Sequence, residues 1–175
     1  MKLFALIALA AAALAAPSPD LVARDSRDSP EIPGVDDKDF ISTVLNAHWY
    51  WRRIHCAQDL QWNSTLAKMA QDDHRAGSNL SGVGPSPSKR KDWIEMARTM
   101  VHGWHEEEAH YDYAKRDTKD GWEIWHFTQL VWRDSSQLGC AVTDCTDTDD
   151  ITFPGRLYCC KSPAAPIFEL HAYFS

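Results

Sequence analysis

Apolar and polar positions follow three helical rhythms along the chain and then several extended ones. Phe40, Val44, Ala47 or His48, Trp51 and His55 recur at the spacing of one helix face, which predicts a helix over about 37–56, with Asp36-Asp37 as its cap. Leu60-Gln61-Trp62 reads as a short extended link. Asn63 or Ser64 then caps a second helix, with Leu66, Met69 and Ala70 on its inner face, ending near His74. Residues 77–90 hold three Gly, two Pro and four Ser, which predicts a loop. Asp92 opens a third helix with the stripe Ile94, Ala97, Val101 and Trp104, running as far as Tyr113. From His126 to Trp132 the pattern alternates, with Phe127, Gln129 and Val131 on one side and Thr128, Leu130 and Trp132 on the other, so a strand is expected. Residues 138–142 and 156–160 predict two more strands, joined by an acidic turn at 147–150. Helices first and strands later predict an α+β fold with an antiparallel sheet.

The start of the chain carries a different signal. Lys2 precedes an apolar run from Leu3 to Ala16, and Ala13-Leu14-Ala15 fits a small-x-small cleavage site. Residues 1–15 are therefore expected to be a secretory signal peptide. The run is too short to span a bilayer, and no second apolar stretch of about 20 residues follows. Residues 16–36 are rich in Pro, Ser and Asp without an apolar period, and read as a flexible leader before a domain at 37–175.

Secretion changes what the five cysteines mean, because an oxidising route makes disulfides the default. An odd number leaves at least one thiol free or paired between chains. No C-x-x-C pair is present. Asn63-Ser64-Thr65 and Asn79-Leu80-Ser81 become candidate glycosylation sites. With 18 Lys+Arg against 25 Asp+Glu, the chain has a formal charge of −7, which argues against nucleic acid as a partner. Its 175 residues suit a single domain.

A set of motifs then points to a family. His126-Phe127-Thr128-Gln129-Leu130-Val131-Trp132, followed by Ser136 and Leu138-Gly139-Cys140-Ala141, closely resembles the H-[FY]-T-Q-[VL]-V-W … G-C-[AG] signature of the CAP superfamily. That superfamily, whose module is also called the SCP domain, comprises cysteine-rich secretory proteins, antigen 5 and pathogenesis-related protein 1. Asn46 to Arg53, with His48 and Arg52, is similar to its first-helix segment. Leu60-Gln61-Trp62-Asn63 with Leu66, Ala67 and Ala70, and Trp104-His105-Glu106-Glu107 with Tyr111, resemble two further blocks. The resemblance implies a three-layer α-β-α sandwich, secretion and disulfides. It also implies a pairing of Cys145 with Cys159 across the acidic turn, leaving Cys140 to Cys56 or Cys160.

Family members carry a cleft of two His and two Glu. Glu107 and His126 match two of these positions. Ser78, in Gly77-Ser78-Asn79-Leu80, stands where the second Glu is expected, and His74 is the candidate for the other His. A metal at Glu107, His126 and His74 would have few protein ligands, so zinc binding at this cleft is expected to be weak or absent, and no cofactor is expected. His105-Glu106-Glu107-Glu108-Ala109-His110 is not an H-E-x-x-H zinc motif, because the fourth position on from His105 is Ala109. It reads as a solvated acidic helix face. No Gly-x-Ser-x-Gly nucleophile elbow occurs.

The eight Trp supply either core anchors or the lining of an apolar slot; Trp49, Trp51, Trp93, Trp104, Trp122 and Trp125, with Tyr50, are the candidates. Some CAP members bind sterols or fatty acids. The expectation is a secreted, non-enzymatic protein of the pathogenesis-related type that binds a lipid, a sterol or an extracellular partner. The rivals are a metal-assisted hydrolase using Glu107, His126 and His74, and an interaction effector whose cleft has decayed.

Overall fold

The computed structural model describes residues 31–72, 78–146 and 153–162. The expected signal peptide, most of the leader, His74 and the C-terminal tail lie outside these residues. The chain runs through α1 (Lys38–Ile54), β1 (Gln61–Trp62), α2 (Ser64–Asp72), β2 (Ser78–Val83), α3 (Arg90–Glu106) and a 3-10 turn (Glu107–His110). It continues through β3 (Tyr111–Asp112), β4 (Asp117–Thr118), α4 (Trp125–Leu130), β5 (Gln137–Asp144) and β6 (Gly155–Ser162). The main sheet has the order β1-β5-β6-β2. It is antiparallel except where the short β1 lies parallel to β5.

Both faces of the sheet are covered, so β5 and β6 are apolar on both sides. Leu138, Cys140, Val142, Leu157 and Cys159 share a core with Phe40, Val44, Trp93, Val101, Trp104 and Leu130 from α1, α3 and α4. Ala141, Tyr158 and Cys160 turn the other way, against Ala70 and Leu66 of α2. The result is the expected α-β-α sandwich. The α2 side is thin because α2 lies directly on β5. A Cβ at Gly139 would come within 2.1 Å of the Ala67 nitrogen, so only glycine fits there. The same closeness selects Ala67 and Ala70 as the buried residues of α2, while Met69, expected inside, is 40% exposed.

The helix starts follow capping physics only in part. Asp37 Oδ1 accepts from the Asp39 and Phe40 amides at 3.0 and 3.1 Å, as the sequence predicts for α1. Asn63 Oδ1 does the same for α2, accepting from Thr65 and Leu66 at 2.8 and 3.1 Å. At α3 the expected cap, Asp92, lies inside the first turn, and Lys89 at the N-cap makes no side-chain capping bond. Arg90 instead grips Asp37 through Nε and Nη2 at 2.7 and 2.6 Å, joining the starts of α1 and α3.

Three expectations give way to longer-range forces. Residues 78–83 are a strand, because six backbone partners on β6 order a stretch that its composition marks as loop. The segment 125–130 is a helix. Phe127, Thr128, Gln129 and Leu130 are all buried, and a continuous buried run does not distinguish strand from helix by period. The leader ends earlier than expected, since Pro33 is buried and Val35 packs beside Ala70 and Tyr158.

The disulfide also differs from expectation. Cys140 and Cys159 are direct partners in the β5–β6 register and are joined, with Cα atoms 4.1 Å apart. Cys145 therefore does not pair with Cys159. Its amide donates to the Pro154 carbonyl at 2.7 Å, five strand positions from Cys159, which is roughly 17 Å along the strand. The hairpin register, which the cysteine spacing alone does not give, decides the pairing.

Candidate functional site

Two cleft residues matched by sequence meet where α3 ends. His126 opens α4, and its Nδ1 lies 2.6 Å from Glu107 Oε1. Glu107 Oε2 accepts from the backbone amides of His126 and Phe127 at 3.0 and 3.1 Å. A carboxylate placed on the first amides of a helix satisfies orphan donors and meets the positive end of the helix dipole. Glu107 thus serves as the cap of α4 from 19 residues away. The Trp104 ring stacks on the imidazole, with centroids 6.0 Å apart and planes at 16°. Both carboxylate oxygens and one imidazole nitrogen are engaged, so His126 Nε2 is the ligand atom this pair leaves available.

Ser78 forms part of β2 by pairing its backbone with Cys160. Next to it, Asn79 is 3% exposed, and its Nδ2 donates to the His126 carbonyl at 3.0 Å. That amide nitrogen is the atom a glycan would occupy, so the expected glycosylation at Asn79 is incompatible with this fold. Asn63, by contrast, is half-buried at the sheet edge, with Nδ2 on Gln137 Oε1 at 2.8 Å.

The pair sits at the end of a groove of about 810 Å³ between α3 and the stretch from β2 to residue 88. Leu80, Val83, Pro85, Pro87, Met96 and Met100 supply its apolar walls. Of the aromatics proposed from sequence, Trp104 alone lines it. Trp93 is core at 1% exposure, whereas Trp49, Tyr50, Trp122 and Trp125 lie on the surface. Met96 and Met100 escaped the sequence reading, although they lie at i, i+4 on the α3 stripe beside Trp93, Ala97 and Trp104. Gly103 also lines the groove, and a Cβ there would meet nothing within 4 Å.

Deeper in the core, Arg52 crosses from α1 to hold the turn after α4. It donates to the carbonyls of Leu130, Trp132 and Ser135 at 3.0, 2.9 and 2.8 Å. Lys161 on β6 is 4% exposed, with Nζ 5.9 Å from the Trp104 ring centroid. Burial, and then the nearby Arg52 charge, pull its pKa down to about 7. Burial also holds His48 well below the ordinary imidazole value, with Lys161 adding to the effect.

Residues 45–161 match the family described as "CAP: Cysteine-rich secretory protein family". The chain belongs to this family. Secreted protein RBT4 of Candida albicans is 30% identical over 138 residues, which cover 74% of this CAP chain and 37% of that protein. Pathogenesis-related leaf protein 6 of Solanum lycopersicum is 34% identical over 92 residues, covering 50% of this chain and 58% of the relative. The chain thus spans between about a third and three fifths of these two relatives. In three dimensions it resembles venom allergen-like protein 4 of Schistosoma mansoni, with a TM-score of 0.50 and 20% identity over 69% of this chain and 84% of that one. Among the described residues no helix is long and apolar enough to cross a membrane.

Proposed function

We propose that this CAP protein acts outside the cell without catalysis, holding a lipid of sterol or fatty-acyl type in the groove between β2 and α3. The observation that carries the reading is the groove itself. Its volume of about 810 Å³ is within the usual range for small-molecule sites, and its lining is mixed: Leu80, Val83, Pro85, Pro87, Met96, Met100 and Trp104 are apolar, Ser81, Ser86, Ser88, Asp92, Glu95 and Thr99 are polar, and the Glu107–His126 pair stands at its end. Apolar walls favour the hydrocarbon body of such a ligand, and His126 Nε2 offers a single hydrogen bond to a hydroxyl or carboxyl head. The hydrolase rival finds less support, because Glu107 is committed to capping α4. A second reading, an extracellular protein partner, is favoured by the exposed indoles of Trp122 and Trp125, at 62% and 51%.

Titration of the secreted protein with a fluorescent sterol and with a fluorescent fatty acid tests the reading. Saturable binding is expected for one of the probes. Gly103→Leu projects a side chain into the groove from a position with open space around it, and should abolish that binding while leaving the helix intact. No saturable binding of either probe, or binding unchanged in Gly103→Leu, would overturn the groove assignment. Extracellular material beginning near residue 16 would establish removal of the signal peptide, and an intact Met1 would refute it.

A further inference from the structure

A second cluster lies on the α1 side of the same chain segment, away from the groove. His55 caps the C-terminus of α1, His105 closes α3, and Glu108 is in the 3-10 turn that follows. His55 Nε2 is 2.9 Å from His105 Nε2. His105 Nε2 is 3.3 Å from Glu108 Oε2, and His55 Nε2 is 3.9 Å from Glu108 Oε1. Three donor atoms from three residues thus converge on one point. We propose that His55, His105 and Glu108 form a zinc site.

The spacing supports the assignment. Zinc bonds to nitrogen and oxygen of about 2.0–2.1 Å in a tetrahedron set the ligand atoms roughly 3.3–3.4 Å apart. The two imidazole nitrogens, 2.9 Å apart, and Glu108 Oε2, 3.3 Å from His105 Nε2, lie near that value, and one donor atom from each residue falls within 4.8 Å of the others, so a modest rotation of the Glu108 carboxylate toward His55 completes the set. Two imidazoles and one carboxylate form a three-ligand set that leaves a fourth position open. Two nitrogen donors in three favour zinc over calcium or magnesium, which take oxygen.

The surroundings hold the ligands in place. The Trp51 ring stacks on His105 at 3.6 Å between centroids, with planes 15° apart. Phe127 sets its ring against both imidazoles, at 5.2 Å from His55 and 5.6 Å from His105. Tyr113 OH donates to Glu108 Oε1 at 2.6 Å, which leaves Oε2 as the freer ligand atom. Outer partners of this kind fix a ligand's orientation and strengthen metal binding. The His55 and His105 side chains are 13% and 11% exposed and Glu108 is 33% exposed, so the open position faces solvent beside the carboxylate. His105 is therefore not on a solvated acidic face, as the sequence pattern had suggested.

Calorimetry of the chelator-treated protein with zinc alone, at neutral pH, tests the site. One ion should bind per chain with micromolar or tighter affinity, and cobalt in its place should give the visible bands of a low-coordinate site. Glu108→Gln and His55→Gln should each weaken binding by about 10- to 100-fold or more, and Tyr113→Phe by about tenfold. His126→Ala, at the groove, should leave the affinity unchanged. Glu108 is the most exposed ligand, so its variant keeps the test valid if a histidine variant misfolds. Absence of saturable binding up to about 100 µM zinc overturns the proposal, and so does an affinity that is unchanged in Glu108→Gln or lost in His126→Ala.

Discussion

Glu107 and Glu108 are adjacent in sequence and serve two different regions. Glu107 turns toward the groove, where its oxygens meet two backbone amides and the His126 ring. Glu108 turns toward α1, where its oxygens meet His55, His105 and the Tyr113 hydroxyl. In the first region the backbone has claimed the carboxylate, so the residues that match the family motif best have little coordinating capacity left. In the second region the carboxylate instead meets side chains, two imidazoles and a hydroxyl. The difference teaches that motif matching finds a position, whereas the hydrogen-bond inventory around it decides what chemistry the position retains.

The sharpest way to break this comparison is to remove each carboxylate in turn. Glu107→Ala strands the His126 and Phe127 amides in the first turn of α4 and the imidazole beside them, and should destabilise the fold by about 3–4 kcal/mol. Glu108→Ala removes a partly exposed group and should cost below about 1 kcal/mol. Urea denaturation of the two variants reads the difference directly. Equal losses would show that the division of roles is false.

Next in size is the disulfide, which braces the sheet beneath both regions. Its two cysteines are 19 residues apart, so opening it through Cys140→Ala with Cys159→Ala should lower stability by about 3 kcal/mol in the chain-entropy model. Zinc affinity should stay the same, because no ligand of the proposed site lies on β5 or β6. A zinc affinity that fell with the disulfide would mean that the cluster depends on the sheet and is not built locally. Peptide mapping without reduction should recover Cys140 joined to Cys159.

The unequal legibility of the two regions has a physical basis. α1 was readable because its stripe of Phe40, Val44, Ala47 or His48, and Trp51 and its Asp37 cap are local signals. The β5–β6 strands were readable from their apolar runs. Their register was not, since it depends on which backbone amide meets which carbonyl, and the disulfide followed the register. α4 was misread because its cap, Glu107, comes from the end of α3 and not from a neighbouring residue. Glu107 and His126 were found through the family motif, whereas Met96 and Met100 looked like ordinary core residues. The His55–His105–Glu108 cluster left only a weak trace, two residues at i, i+3. Its third member is brought in by the packing of α1 against α3.

Lys161 offers a smaller test on the groove side, where its ammonium lies near the Trp104 ring that carries His126. Its Nζ has no hydrogen-bond partner among the described residues. Lys161→Met should therefore stabilise the protein by about 2 kcal/mol at neutral pH. The pH dependence identifies the cause. The folded-state pKa is about 7 against an ordinary 10.5. Between these values the unfolded chain holds a proton that the folded chain has released, so wild-type stability rises with pH across that window. The advantage of Lys161→Met should shrink over the same range, and a constant advantage would assign it to packing alone.

Acid separates the two sides once more. His48 in the core, and His55 and His105 on the α1 side, all have pKa values lowered chiefly by burial. Each is neutral when folded, at a pH where its unfolded counterpart near 6.5 begins to take up a proton. Their contribution is complete above about pH 6.5 and is lost as pH falls through that value toward the folded-state pKa values. Each fully shifted imidazole adds a slope of about 1.4 kcal/mol per pH unit. Lys161 adds none there, because below about pH 7 it is protonated in both states. Stability measured in urea from pH 7 to 5 should therefore fall, and His48→Leu should flatten the curve most, because His48 is fully buried. His55→Gln should flatten it less, because burial lowers that imidazole by a smaller margin. Zinc at a fixed concentration should delay the acid loss in the wild type and delay it less in Glu108→Gln, because an ion on His55 and His105 competes with the protons that drive unfolding.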